Sequence, residues 1–441
     1  MIRIISTLFL VFATLPVALP ARAEVAIQEL TTPGGINTWL VEDHSIPFVA
    51  LELRFRGGAS LDAPGKRGAT NLMTALLEEG AGDMDSRAFS RARDGLAASF
   101  SYDTDNDTIS ISAHFLTENR AQAMALLRES LLNPRFDQPA IDRVKAQVVS
   151  IIQSDEKDPG ALAGKAFRTL VYGDHPYGSS LNGTLESVAA LTREDIQAAH
   201  LATLARDRLY VSAVGDITAE DLTKLLDDLL GNLPATGAPL PAQADVNLPG
   251  GIKVVEYDTP QSVATFAQPG IDRDDPDFFA AYILNHILGG GSFESRLMQE
   301  VREKRGLTYG VYSYLVDRDN AQVWMGSVAS ANDRIAEAIK VIRDEWARLK
   351  TDGVTEAELK DAKTYLTGAY PLRFDGNGPI ANIAVSMQRE GLPTDYIATR
   401  NDRINSVTLE DINRVADELV QPDALTFVVV GKPEGLEATL N

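Results

Sequence analysis

Hydrophobic and polar positions alternate along several short stretches of the chain. Residues 37–41 and 48–56 read as strands. Residues 108–115, Thr-Ile-Ser-Ile-Ser-Ala-His-Phe, keep the period of two expected of a half-buried strand and pair with 98–103. Between them, 68–79 carries the three-to-four spacing of a helix, and 120–132 and 138–154 continue as long amphipathic helices. A β-branched strand over 209–214 follows. The order then starts again: strands at 253–257 and 264–268, a helix at 276–288, an amphipathic helix at 335–349 and a closing strand at 425–430. Thr192 and Thr408 each precede a helical run with acidic residues in its first turn, the pattern of an N-cap. Strands and helices mix without steady βαβ alternation, which predicts an α+β fold of mainly antiparallel sheets packed against helices.

The repetition extends to identities. The stretch 188–216 aligns without a gap on 404–432 at an offset of 216, pairing Thr192 with Thr408, Asp195 with Asp411, Ile196 with Ile412 and Gly215 with Gly431. The same offset superposes Pro33-Gly34-Gly35-Ile36 on Pro249-Gly250-Gly251-Ile252. This predicts a tandem duplication: one domain over 24–233, a Pro- and Ala-rich linker over 234–249, and a homologous domain over 250–441. Residues 1–23 read as a secretory signal peptide. Arg3 supplies the positive charge, an apolar run follows, and Ala21-Arg22-Ala23 is a small-x-small cleavage site. The expectation is an exported protein, periplasmic if the source is Gram-negative, with no membrane span in the mature chain.

Composition narrows the chemistry. With 62 acidic against 41 basic residues the net charge is −21, and removal of a leader carrying two arginines makes it more acidic still. Nucleic acid is thereby disfavoured as a partner, since phosphate binding needs basic patches. The chain has no cysteine, so disulfides, thiolate metal sites and a cysteine nucleophile are excluded. Gly289-Gly290-Gly291 lacks the Lys and Ser/Thr of a phosphate loop. Five histidines remain, at 44, 114, 175, 200 and 286, and none pairs with another at i, i+4. Of these, His286 reads as a core or interdomain residue and His175, in His-Pro-Tyr-Gly, as a turn residue.

Several blocks together resemble the pitrilysin/insulinase family of zinc peptidases, which includes the mitochondrial processing peptidase. They are FRGGASLDAPGKRGATNLMTALLEEGAG, NPRFDQPAIDRVKAQVVSIIQSDEKDP, HPYG, and NHILGGGSFESRLMQEVREKRGLTYGVYS over 285–313. The resemblance implies two homologous halves in a clamshell arrangement around an extended peptide. It also implies an inverted H-x-x-E-H motif on the first helix of the first half. There, two imidazoles at i and i+4 hold zinc, the Glu takes a proton from the zinc-bound water, and a later Glu completes the ligand set.

This chain departs from that pattern. The motif falls on Asn71-Leu72-Met73-Thr74-Ala75, so Asn71 and Ala75 replace the histidines and Thr74 replaces the base. The distal Glu position falls near Ile151. The expectation is a disabled site with no metal or catalytic residue of its own. The second half keeps Arg-Gly-Leu-Thr-Tyr at 305–309. The resemblance implies that Arg305 and Tyr309 contact substrate backbone and the developing oxyanion, chemistry suited to a guanidinium and a phenol. Read without the resemblance, the pair is a helix-end cation and a packed tyrosine. Three functions follow as expectations. The first is a non-catalytic subunit of a heterodimeric zinc peptidase, with zinc in a homologous H-x-x-E-H partner and an extended peptide as substrate. The second is a peptide-binding or assembly scaffold without proteolysis. The third is a self-sufficient peptidase with an unrecognised metal site.

Overall fold

The computed structural model describes residues 25–441, so the expected signal peptide lies outside the described residues. The first half opens with β1 (Gln28–Thr31), β2 (Asn37–Glu42) and β3 (Phe48–Arg56), then α1 (Ala69–Leu76). A short hairpin, β4 (Gly80–Ala81) and β5 (Met84–Asp85), leads to α2 (Ser86–Gly95) and to the hairpin β6 (Ser99–Thr104) and β7 (Thr108–Leu116). Five helices follow: α3 (Arg120–Leu132), α4 (Gln138–Asp155), α5 (Pro159–Tyr172), α6 (Leu185–Ala190) and α7 (Arg193–Thr203). β8 (Leu209–Gly215) and α8 (Ala219–Leu230) close the half.

The second half runs β9 (Gly251–Glu256), β10 (Gln261–Pro269), α9 (Phe278–Asn285), β11 (Val311–Arg318) and β12 (Ala321–Ala331). It continues through α10 (Ile335–Asp352), α11 (Glu356–Ala369), α12 (Asn377–Arg389), α13 (Tyr396–Ser406) and α14 (Leu409–Leu419) to β13 (Thr426–Gly431).

The two sheets have one topology. The first is ordered β1-β2-β8-β3-β7-β6, the second β9-β13-β10-β12-β11, and element for element these correspond once β1 is set aside. In both, one pair is parallel, β2 with β8 and β9 with β13, and the rest are antiparallel. The fold is α+β and internally duplicated. Local chemistry fixes many element ends. Thr192 and Thr408 each accept from the backbone N–H three residues on, while Asp195 and Asp411 bond back, closing capping boxes at equivalent positions.

The central strands of each sheet are buried on both faces. Leu51, Leu53, Ile111 and Val211 face the helices of the first half; Phe266, Trp324, Phe427 and Val429 face those of the second. The opposite faces are covered by helices from the other half. α12 lays Ala381 against Ala50 and Val214 of the first sheet, and its Gln388 side chain accepts from Val211 N at 2.8 Å. Conversely, α5 lays Phe167 and Val171 against Ala267 and Val428 of the second sheet. The exchange is reciprocal, because α5 and α12 hold equivalent places in the two halves.

No strand or helix forms between Leu230 and Gly251, yet this segment is tied down. Arg208 Nη2 donates to Ala238 O at 2.7 Å, and Ala244 N to Asn320 O at 2.9 Å.

Two readings of the sequence need correction. The helix expected over 276–288 is α-helical only to Asn285 and continues as a π-turn over His286–Gly290. Close packing explains the glycine there, since a Cβ on Gly289 would lie 2.7 Å from Ser313 N. His286, expected in the core or between domains, is half-buried, its ring stacked 5.1 Å from exposed Tyr365 of the same half.

An ion pair anchors α11. Arg296 forks onto Glu358 at 2.7 and 2.8 Å. Burial raises the Glu358 pKa, but the fork and the Thr355 cap outweigh it and bring the pKa down to about 2. A depressed carboxylate stabilises the fold above its unfolded pKa, and that contribution disappears as pH falls toward 2. Glu358→Gln should therefore lower the urea midpoint at pH 7, and the gap to wild type should narrow by pH 2–3.

Candidate functional site

The first half's site positions depend on how α1 begins. The Asp62 carboxylate accepts from Gly68 N and Thr70 N, both at 2.8 Å, which satisfies donors that the helix start leaves unpaired. Burial pushes the Asp62 pKa up and these bonds oppose the rise. Gly68 has φ of 101° and a Cβ there would lie 2.9 Å from Asn182 O, so glycine is needed at this entry.

Along α1, Asn71 is half-buried, while Ala75 and Glu78 are exposed, forming one strip at i, i+4 and i+7. Asn71 Nδ2 donates to Asn182 Oδ1 at 2.9 Å. Thr74 does not share the strip: it is 2% exposed, and its hydroxyl donates to Thr70 O at 2.9 Å. α4 packs against α1, with Ala140, Ile141, Val144, Val148 and Ile152 buried and Ile151 48% exposed. Nearby acids are otherwise engaged. Glu78 pairs with Arg93 at 3.3 Å, and Glu79 accepts from Ser86 Oγ at 2.6 Å and pairs with Arg143.

Zinc does not fit this donor set. An amide, a methyl group and an aliphatic side chain stand at the positions to which the resemblance assigns imidazoles and a carboxylate, and the Thr74 hydroxyl is buried and already bonded. Among the described residues, no group of three or more His, Asp or Glu is placed to hold a metal ion.

The second half's positions lie on the loop entering β11. Arg305 Nη1 donates to Glu300 O and to Glu300 Oε2, both at 2.7 Å. Lys304 reaches the same carboxylate at 2.6 Å, and these two cations lower the Glu300 pKa. A single Arg305 nitrogen makes both bonds, and Nη2 and Nε have no hydrogen-bond partner among the described residues. Thr308 Oγ1 donates to Ala329 O at 2.7 Å, pinning the loop to β12. Tyr309 is 87% exposed. β11 is one of the two edge strands of its sheet, and Tyr312 and Tyr314 project exposed from it at 48% and 44%.

The structure thus brings Asn71, Ala75 and Ile151 to one pair of packed helices, and Arg305 and Tyr309 to one loop. Among the described residues, no hydrogen bond or ion pair joins the two groups. The sequence reading missed Asp62, Asn182 and Glu300, the residues that fix these positions. Only Glu300 had a local signal, lying five residues before Arg305. His175 is a turn residue: its Nδ1 accepts from Tyr177 N at 3.2 Å, and its Nε2 lies 3.0 Å from Ala242 O.

Comparison with known proteins agrees with this geometry. Residues 38–185 match the profile of the insulinase family, peptidase family M16, and residues 190–366 match that of the peptidase M16 inactive domain. The non-peptidase homolog YmxG of Helicobacter pylori is 27% identical over 426 residues, covering 96% of this chain and 98% of its own. An uncharacterized zinc protease of Mycobacterium leprae is 26% identical over 408 residues, covering 91% of each chain. The crystal structure of a peptidase M16 inactive domain from Pseudomonas fluorescens superposes with a TM-score of 0.87 at 29% identity, over 94% of this chain and all of that one. A protease from Helicobacter pylori shares the fold, with a TM-score of 0.82 at 16% identity over 92% of this chain and 99% of that one. The chain belongs to the insulinase, or M16, peptidase family, and is a member without that family's zinc-binding residues.

Proposed function

We propose that this protein is the non-catalytic subunit of an exported, heterodimeric zinc peptidase. A homologous partner with an intact H-x-x-E-H motif holds the zinc. This chain supplies Arg305 and Tyr309, which bind the extended peptide and the oxyanion. What carries this reading is that Asn71, Thr74 and Ala75, with Ile151 near the distal position, stand where the resemblance places the zinc ligands and base, in a chain with the family's fold. The signal-peptide pattern read in residues 1–23 supports export, and the Arg305 nitrogens left unpaired among the described residues and exposed Tyr309 support a role toward a ligand outside this chain.

The test is peptide hydrolysis by the mature chain alone, by the H-x-x-E-H partner alone and by the mixture. Turnover should need both chains. In the mixture, Tyr309→Phe should lower kcat by about 100-fold, the effect of losing one oxyanion donor.

A scaffold without proteolysis is the second reading. The pairing of Arg305 with Glu300 favours it, because that contact gives the arginine a structural task within its own loop. A mixture that assembles but shows no turnover would select this reading.

A further inference from the structure

The turn between β11 and β12 reaches out of the second half and is gripped by the first. Arg56 Nε donates to Asp319 at 2.6 Å. The Arg318 guanidinium lies 4.9 Å from the centre of the Tyr177 ring and 5.6 Å from that of Tyr172. Asn320 N donates to the Tyr177 hydroxyl oxygen at 3.2 Å. That hydroxyl in turn donates to the Asp107 carboxylate, which is 8% exposed on the first half. A relay therefore runs from an amide of one half, through a phenol, to a buried acid of the other. Beside it lies a cavity of about 380 Å³ lined from both halves.

We propose that turn 318–320 is a pH-gated latch between the halves, held while Asp107 is protonated and loosened when Asp107 ionises. The surroundings set the sign. From its own hairpin Asp107 faces Asp105, and from the latch Asp319, both of which oppose its ionisation, while Arg318 favours it. From α12, Arg389 and Glu390 face the same cavity, with Asp317 from β11 and Arg54 from β3. Arg56 and Arg389 both pair with Asp319; Arg389 also pairs with Glu390 and adds to Arg318 a weaker attraction for ionised Asp107, and Arg67 is held by Asn106 and backbone carbonyls.

Burial is the largest influence on Asp107 and pushes its pKa up to about 6; the Tyr177 bond pulls the other way and does not win. Once the turn lifts away, water reaches the carboxylate and its pKa returns toward 3.8. The latched form binds the proton more tightly, so it is favoured at low pH and loses ground as pH rises through about 6. A difference of about two pKa units sets the span at about 100-fold in the opening constant. His175 packs against Tyr177, with ring centres 4.5 Å apart. Burial lowers its pKa, so its protonation opposes latching at the acid end.

Hydrogen exchange at the Asn320 amide of the full chain, corrected for intrinsic rates, reads the opening constant directly. In wild type it should rise by up to about 100-fold between pH 4 and pH 7. In Asp107→Asn, which keeps an acceptor for Tyr177 but cannot ionise, the rise with pH should be lost. Tyr177→Phe, checked for folding by circular dichroism, should expose the Asn320 amide even at pH 5. An opening constant that ignores pH in wild type, a wild-type pH profile retained by Asp107→Asn, or full protection in Tyr177→Phe would each overturn the latch.

Discussion

Phe167→Ala should destabilise the entire chain by about 3–5 kcal/mol, although Phe167 belongs to the first half and covers the sheet of the second. The ring is 1% exposed and packs on α5 with Val171 against Ala267 and Val428. Truncation leaves a void bounded by a rigid sheet on one side and a helix on the other, so collapse is poor and the cost sits high in the usual range. Because α12 returns the same service to the first sheet, the halves should melt together. Calorimetry should show one transition for wild type and one, at lower temperature, for the variant. Two resolved transitions would mean that the halves are separately stable and that the exchanged helices contribute little.

The second large effect concerns metal. Asn71→His with Ala75→His places two imidazoles at i and i+4 on the solvent-facing strip of α1, where neither enters the core. The double variant should fold and acquire zinc affinity, read as a rise in melting temperature on adding zinc that wild type does not show. It should still not hydrolyse peptides, because Thr74 offers a hydroxyl, not a carboxylate base, and that hydroxyl is buried and donates to Thr70 O. Turnover by the double variant alone would show that the missing carboxylate base does not limit the chemistry. Absence of any zinc response would show that α1 is turned away from the geometry a metal requires.

What the sequence reveals depends on how local each cause is. The caps at Thr192 and Thr408 were legible because they involve a hydroxyl and a carboxylate three residues apart. Strand β7 was legible because alternation reports a half-buried surface directly, and the duplication because two copies confirm each other. The loss of zinc ligands could be read off Asn71, Thr74 and Ala75 alone, given the resemblance. The π-turn after Asn285 could not, since it depends on how closely Ser313 approaches Gly289. Nor could the covering of each sheet by the other half's helix: Ala50 and Ala381 lie 331 positions apart, and small residues on a strand carry no label for their partner. Arg305 was found through its motif, but its bond to Glu300, which now weighs on its role, shows only in three dimensions.

The reciprocal placement of α5 and α12 also bears on ancestry. A single, unduplicated unit with this topology would present one sheet face that its own helices cannot reach, together with one helix that has no sheet to cover. Two copies solve both problems at once by trading helices about a two-fold axis. The present chain has the form of such a symmetric pair whose members became joined end to end by residues 231–250. Severing that join should accordingly leave two fragments that remain associated, each completing the other's missing layer.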